Sequence, residues 1–252
     1  MDLDDLLDDF REGEITKEEL KREINLLEIS ELGDYAKLDT GRKRRAGTPE
    51  AILGEGKSPE EFSDIMIDMA SNKGVGIGTR VSKDQLLELK NKNEDFELNW
   101  YEKASIVELR SEEYRSNRRI GKIGVISAGT ADIEVAEEAR VTAKLMGAET
   151  KRSYDVGVAG IHRLFPELKK QIDDGVEVLI VAAGRDGSLP PVVAGIVEVP
   201  VIGVPTSTGY GLGGNGRGAL FSMLQSCSLL SVVNIDAGFT AGAFAAKILK
   251  SM

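Results

Sequence analysis

A single cysteine and a single histidine occur in this chain of 252 residues, the histidine shortly after Gly157 and Gly160 and the cysteine in the segment that follows a glycine-rich run ending at Gly218. Cys227 closes the stretch "GALFSMLQSC". Its thiolate would be a nucleophile, whereas a packed thiol would be a small core residue. Leu220, Met223, Leu224 and Cys227 repeat at i, i+3, i+4 and i+7, which puts Cys227 on one apolar helical face and favours the core reading. A place near the carboxyl end of a helix, where the macrodipole is negative, also disfavours the thiolate. His162 stands beside Arg163 in "YDVGVAGIHRLFP", as a proton carrier or as a structural ring. The stretch "AAGRDGSLPP" presents Arg185, Asp186 and Ser188 between glycines, directly after the most apolar run of the chain. A charged pair at the end of a buried strand must neutralise itself or address a ligand, because unpaired burial costs several kcal/mol.

Groups suited to phosphate or ribose gather in two further stretches. "SAGTADIEVAEEA" offers Ser127, Gly129, Thr130 and Asp132 just before a helix, where hydroxyls, backbone N–H groups and a helix N-terminus form an anion cradle. Asp132 would repel a phosphate unless it caps the helix or holds ribose hydroxyls or a metal, and a plain N-cap stands beside the ligand reading. "PTSTGYGLGGNGRGAL" places six glycines between positions 209 and 218, with Gly203 just before it. Such a segment is costly to order and wraps a ligand rather than supporting a core, which singles out Gly209, Tyr210 and Gly211. No cluster of residues specifies a metal site.

The elements that must hold these loops are regular. Apolar runs "GKIGVIS", "TKRSYDV", "VEVLIVAA", "VPVIGVP" and "LSVVNID" alternate with helical segments, the pattern of a parallel sheet covered on both faces. The expected fold is therefore α/β, a flavodoxin-like doubly wound parallel sheet over residues 119–252, with ligands at the carboxyl edge of its strands. Nineteen of the 28 glycines lie in that part. Residues 1–118 read as a smaller domain: amphipathic helices broken at Gly13, a capping box from Thr16 to Glu19, then an α/β unit built from a helix after Pro59, the strand "GVGIGTR", the helix "SKDQLLELKNK" and the strand "ASIVELR". Between its parts, Lys37, Arg42, Lys43, Arg44 and Arg45 precede Gly47, Gly54, Gly56 and Lys57. This basic, glycine-containing loop is either a phosphate site or a solubilising surface.

Composition narrows the partners. Lys and Arg number 32 against 42 Asp and Glu, a net charge of −10, which argues against nucleic acid and anionic membranes and for small substrates. One cysteine makes no internal disulfide, "MDLDDLLDDF" lacks the features of a signal peptide, and no apolar run approaches a bilayer span. A soluble, cytoplasmic protein is expected.

Taken together the motifs resemble a known family. The carboxyl-terminal part is similar to the aminoimidazole ribonucleotide (AIR) carboxylase-like fold. The wider pattern resembles the LarB family, the pyridinium-3,5-biscarboxylic acid mononucleotide synthases of nickel-pincer nucleotide biosynthesis. The matching stretches include "AKLDTGRKRRAGTPEAILGEGKSPEE", "GIGTRVS", "SAGTADIEVAEEA", "DVGVAGIHRL", "GSLPPVVAG", "VPVIGVPTSTGYG" and "MLQSCSLLSVVNIDAGF". The resemblance implies carboxylation of the pyridinium ring of nicotinic acid adenine dinucleotide by CO2 or bicarbonate, through a covalent adduct of Cys227, with cleavage of the phosphoanhydride to release AMP. It further implies Asp186 as the acid–base or ring-orienting carboxylate, where the family has Glu. Ser127, Gly129, Thr130, Asp132, His162, Arg163, Ser188, Gly209, Tyr210 and Gly211 would line the substrate site, and Arg42 and Arg45 would complete it. Mg2+ would assist the phosphoanhydride step, and relatives of this fold assemble as octamers. Two other readings use the same site: carboxyl migration on a purine precursor with His162 carrying the proton, and a non-catalytic nucleotide-binding regulator.

Overall fold

The computed structural model describes residues 3–21, 29–32, 36–39, 47–114 and 119–252. They form two compact units, Met1–Asn99 with Val107–Tyr114, and Trp100–Ile106 with Arg115–Met252.

In the first unit helix α1 (Leu3–Glu12) stops at Gly13, whose φ of 81° suits a residue without a side chain. Helix resumes at residue 17. There Thr16 and Glu19 form the expected reciprocal cap: the Thr16 N–H donates to Glu19 Oε2 at 2.8 Å and the Glu19 N–H to Thr16 Oγ1 at 3.2 Å. Strands β1 (Ile29–Leu32) and β2 (Ala36–Asp39) pair antiparallel. A four-stranded sheet follows, in the order β3 (Ile52–Leu53), β4 (Val75–Thr79), β6 (Ile106–Arg110), β5 (Glu97–Tyr101). Helices α2 (Pro59–Lys73) and α3 (Lys83–Lys92) each begin with a capping box, from Ser58 to Glu61 and from Ser82 to Gln85. Phe62, Ile65, Met66 and Met69 of α2 are buried with Leu86 and Leu89 of α3.

The second unit is a parallel five-stranded sheet of β7 (Lys122–Ser127), β8 (Glu149–Ser153), β9 (Val178–Ala183), β10 (Val201–Pro205) and β11 (Ser231–Val232). Its spatial order, β8-β7-β9-β10-β11, is the 2-1-3-4-5 order of flavodoxin-like sheets. All six residues of β9, "VLIVAA", are buried. Val178, Ile180 and Ala182 face one core with the alanines of α4 (Ile133–Leu145) and α8 (Gly238–Ser251). Leu179, Val181 and Ala183 face the other, with Leu164 and Leu168 of α5 (Leu164–Asp173), Leu189 and Val193 of α6 (Leu189–Ala194), and Ala219 and Met223 of α7 (Arg217–Leu224). Two apolar faces on one strand require helices on both sides.

Two expectations are corrected. The run "LSVVNID" contributes only two ladder residues, Ser231 and Val232. Helix α7 ends at Leu224, short of Cys227: its carboxyl end turns at Gln225, and the Ser228 N–H donates to Ser226 Oγ at 3.0 Å. That local serine turn competes with further helix.

Candidate active site

The order of the sheet reverses between β7 and β9, so their carboxyl ends open on the switch-point crevice where this architecture takes ligands. The loop after β7 carries Gly129 to Asp132, and the loop after β9 carries Gly184 to Ser188. Asp132 joins them. One of its oxygens, Oδ2, accepts the Gly129 N–H at 2.8 Å, while Oδ1 accepts the Gly184 N–H at 3.0 Å, the Thr206 hydroxyl at 2.6 Å and the Thr208 hydroxyl at 2.8 Å. The residue is 4% exposed. Its oxygens thus accept donors from the loops after β7, β9 and β10, and through Gly129 it caps the 3-10 turn Thr130–Asp132, the capping role that stands beside the ligand reading.

With Gly184 held, the next residues rise out of the core. Arg185 and Asp186 are exposed, so the pair beyond the end of the buried strand carries no burial cost. Arg185 takes a left-handed backbone, φ 51°, and its N–H donates to the Thr208 carbonyl at 2.8 Å. Its guanidinium lies 5.5 Å from the centre of the Tyr210 ring. Asp186 Oδ2 accepts the Ser188 hydroxyl at 2.9 Å. Arg185, Asp186, Tyr210, Gly213, Gly218 and Ser222 line a cleft of about 480 Å³, within the about 300–1,000 Å³ of small-molecule sites. Gly218 in the lining, and Gly187 next to Asp186, each pack closely on backbone. A Cβ on Gly187 would stand 2.6 Å from the Ala219 carbonyl oxygen, and one on Gly218 3.2 Å from that of Arg185.

The loop after β8 approaches the same edge. Ser127 is fully buried, its hydroxyl accepting the Asp155 N–H at 3.2 Å. Arg163 pairs with Asp155 at 2.7 Å, and His162 is exposed beside it on the 3-10 turn Val158–Arg163. At the root of this loop Tyr154 donates its hydroxyl to Glu137 of α4, which also takes two bonds from Arg140, each 2.8 Å, and lies 3.6 Å from Arg152. Burial alone would raise the Glu137 carboxyl, but the hydrogen bonds from Arg140 and Tyr154 outweigh it and hold it below its ordinary range. Burial first, then the bond to Glu137, pushes the Tyr154 phenol up.

Cys227 is free and exposed on the turn after α7, and it is not among the residues lining the cleft. Of its supposed apolar face only Met223 is buried, and Leu224 is 60% exposed. The core reading of the thiol is thereby removed. Gly209, Tyr210 and Gly211 are exposed, with Tyr210 at the cleft. Arg42 and Arg45 lie outside the described residues. In the glycine half of the basic segment the Gln85 amide fills the loop, donating to the Gly54 carbonyl at 2.7 Å and to that of Lys57 at 2.9 Å, and Lys57 Nζ donates to Leu53 O at 3.0 Å. Among the described residues no group of three or more His, Cys, Asp or Glu is placed to hold a metal ion.

The structure adds Ser222, Gly213 and Gly218 to the cleft, and Thr206 and Thr208 to the clasp around Asp132. The threonines of "PTST" stand two apart after a strand, a spacing that turns both hydroxyls the same way.

The fold and the cleft define a flavodoxin-like α/β protein with a cleft at the carboxyl edge of its sheet, between the loops after β9 and β10 and helix α7. Residues 122–252 match the AIR carboxylase family and residues 29–111 the LarB/PurE-like N-terminal domain. The chain belongs to the AIR carboxylase family, in its LarB-like form. It is 42% identical to an uncharacterized protein of Methanocaldococcus jannaschii over 99% of this chain and 98% of that one. It is 33% identical to the N5-carboxyaminoimidazole ribonucleotide mutase of Thermotoga maritima over 51% of this chain and 74% of the mutase, and 35% identical to that of M. jannaschii over 50% and 78%. No described helix is long and apolar enough to cross a membrane.

Proposed function

We propose that this chain is a cytoplasmic pyridinium-3,5-biscarboxylic acid mononucleotide synthase, which carboxylates nicotinic acid adenine dinucleotide and cleaves its phosphoanhydride to release AMP. The observation that carries the proposal is the exposed free thiol of Cys227 on the turn following α7, the helix whose Gly218 and Ser222 line the cleft beside Asp186. The LarB/PurE-like amino-terminal match supports the same reading over the mutases, whose matches cover about half of the chain.

In this mechanism the Cys227 thiolate adds to the cationic pyridinium ring and turns it into a dihydropyridine. That ring is an enamine, and its nucleophilic carbon forms a bond to CO2. Asp186 takes the ring proton from the carboxylated carbon, and departure of the thiolate restores the aromatic pyridinium. Water then attacks the phosphoanhydride and AMP leaves. Arg163 and Thr130 would address the phosphates. Mg2+ carried on those phosphates would offset their charge, with no step assigned to a metal held by the protein.

The protein would act as a homo-oligomer. Phe165, Ile172 and Ile196 on one surface, and Phe221, Leu224 and Leu229 on another, stand 38–96% exposed in the single chain.

A second reading, carboxyl migration on aminoimidazole ribonucleotide with His162 carrying the proton, is favoured by the exposure of His162 and by the mutase relatives. One experiment separates the two. The chain is incubated with nicotinic acid adenine dinucleotide, bicarbonate and Mg2+, and in parallel with N5-carboxyaminoimidazole ribonucleotide. AMP release with a carboxylated mononucleotide, lost in Cys227→Ala, supports the first reading. Turnover of only the imidazole substrate, lost in His162→Asn and kept in Cys227→Ala, replaces it with the second. Nucleotide binding with no turnover of either leaves a regulator.

A further inference from the structure

Two residues lining the cleft carry charge, Arg185 and Asp186, and they are adjacent in the chain. Neither charge is used on the other: the Arg185 guanidinium lies over the Tyr210 ring, and Asp186 faces the Ser188 hydroxyl. Their backbone is fixed on both sides. The Gly184 N–H is held by Asp132 and the Arg185 N–H by the Thr208 carbonyl, while Gly218 packs so closely on the Arg185 carbonyl that a Cβ there would come within 3.2 Å.

We propose that Arg185 is a specificity residue that reads a carboxylate on a planar cationic ring, a proposal that rests on the pyridinium chemistry of the preceding subsection. A guanidinium lying over an aromatic face engages it through its charge and keeps its N–H fork available for both oxygens of a carboxylate. Asp186, one residue on, presents the opposite charge to the same cleft. Neighbouring charges of opposite sign complement a ligand that is itself zwitterionic, its ring cation toward Asp186 and its ring carboxylate toward Arg185. A bare phosphate would gain from Arg185 but be repelled by Asp186, and a neutral carboxamide would leave the guanidinium without an anion. The Tyr210 ring limits the positions open to the guanidinium before the ligand arrives, which lowers the entropy lost on binding.

The test uses two ligands that differ only at this group, nicotinic acid mononucleotide and nicotinamide mononucleotide, titrated calorimetrically into the full chain. The unsubstituted protein prefers the acid by about tenfold or more, the scale of one charge-assisted contact. Arg185→Gln brings the two affinities to within about threefold, through loss of acid binding. Arg185→Lys restores part of the preference, since an ammonium supplies charge without the fork. Tyr210→Phe keeps the preference and Tyr210→Ala reduces it. The proposal is overturned if Arg185→Gln keeps the original preference, if it weakens acid and amide equally, or if the unsubstituted chain binds both alike or neither. AMP release is a separate readout. Discrimination without product refutes the reaction and leaves the specificity residue standing, whereas product without discrimination does the reverse.

Discussion

Asp132 and Thr206 lie 74 positions apart in the chain and are joined by a 2.6 Å hydrogen bond across the carboxyl edge of the sheet. Through the same carboxylate the loops after β7, β9 and β10 share one anchor, with donors from Gly129, Gly184, Thr206 and Thr208. Asp132→Asn replaces one acceptor oxygen by an NH2 that meets a donor, and leaves a buried N–H or hydroxyl unsatisfied. We expect a loss of about 2–3 kcal/mol. Thr206→Val removes one donor, for about 1 kcal/mol. Urea denaturation of both single variants and the double variant checks this: a double variant costing less than the sum confirms one shared network, and strict additivity argues against it.

Much of this arrangement is readable in the chain, for reasons that also explain the failures. The run "VLIVAA" announces a strand buried on both faces because both alternating sets of its side chains are apolar. Strand β5, "ELNWY", shows no such signal, since Glu97 and Asn99 interrupt its apolar residues and none of the five is fully buried. The i, i+3, i+4, i+7 spacing puts Cys227 on an apolar face only if helix continues past Leu224. The hydroxyl of Ser226 and the turn at Gln225 end it first. The role of Asp132 is invisible locally, because Thr206 and Thr208 reach it only after the sheet has formed.

The polar cluster behind the second loop predicts how stability follows pH. The Glu137 carboxyl is held below its ordinary value of 4.5, so its contribution is present above that value and is lost as pH falls through its folded-state pKa. The Tyr154 phenol is raised above its ordinary value of 10.0, so its contribution is present below that value and is lost only as pH rises through its own folded-state pKa. Urea midpoints measured on the acid side should fall steeply for the native chain and less so for Glu137→Gln. Tyr154→Phe is expected to cost about 1.5–3 kcal/mol at neutral pH, since its hydroxyl bonds a carboxylate.

Gly187 joins the loop of Asp186 to helix α7. It combines a φ of 62° with a close approach, a Cβ there falling 2.6 Å from the Ala219 carbonyl oxygen. Gly187→Ala should lose more than about 2 kcal/mol, with left-handed strain of about 1 kcal/mol joined by a forced movement of loop or helix. Gly211→Ala is the control, with φ 77° and nothing within 4 Å of its added carbon, and should lose only about 1 kcal/mol. Equal losses for the two variants in thermal unfolding would remove the close approach from the account.

The exposed side chains Phe221, Leu224 and Leu229 predict association. Leu229, 96% exposed in the single chain, gains a partner surface if copies pack through the end of α7. Light scattering should give a mass several times 27.2 kDa for the native protein, and Leu229→Asp should reduce it. A monomeric mass for the unsubstituted chain at micromolar concentration would contradict the proposal.

Cys227 offers the sharpest comparison between packing and chemistry. A thiol buried on a helix face would resist alkylation in the native protein and destabilise the fold when changed, whereas the exposed thiol after α7 should do neither. Iodoacetamide should add one carbamidomethyl group to the native chain, read by intact mass, and Cys227→Ser should shift the thermal midpoint by less than about 2 °C. Nicotinic acid adenine dinucleotide at saturation should slow that alkylation, because the ring carbon that the thiol attacks would occupy the same approach. Protection that persists in Asp186→Asn while AMP release falls by about a hundredfold or more would separate the nucleophile from the proton acceptor. Undiminished alkylation in the presence of bound nucleotide would place Cys227 outside the reaction.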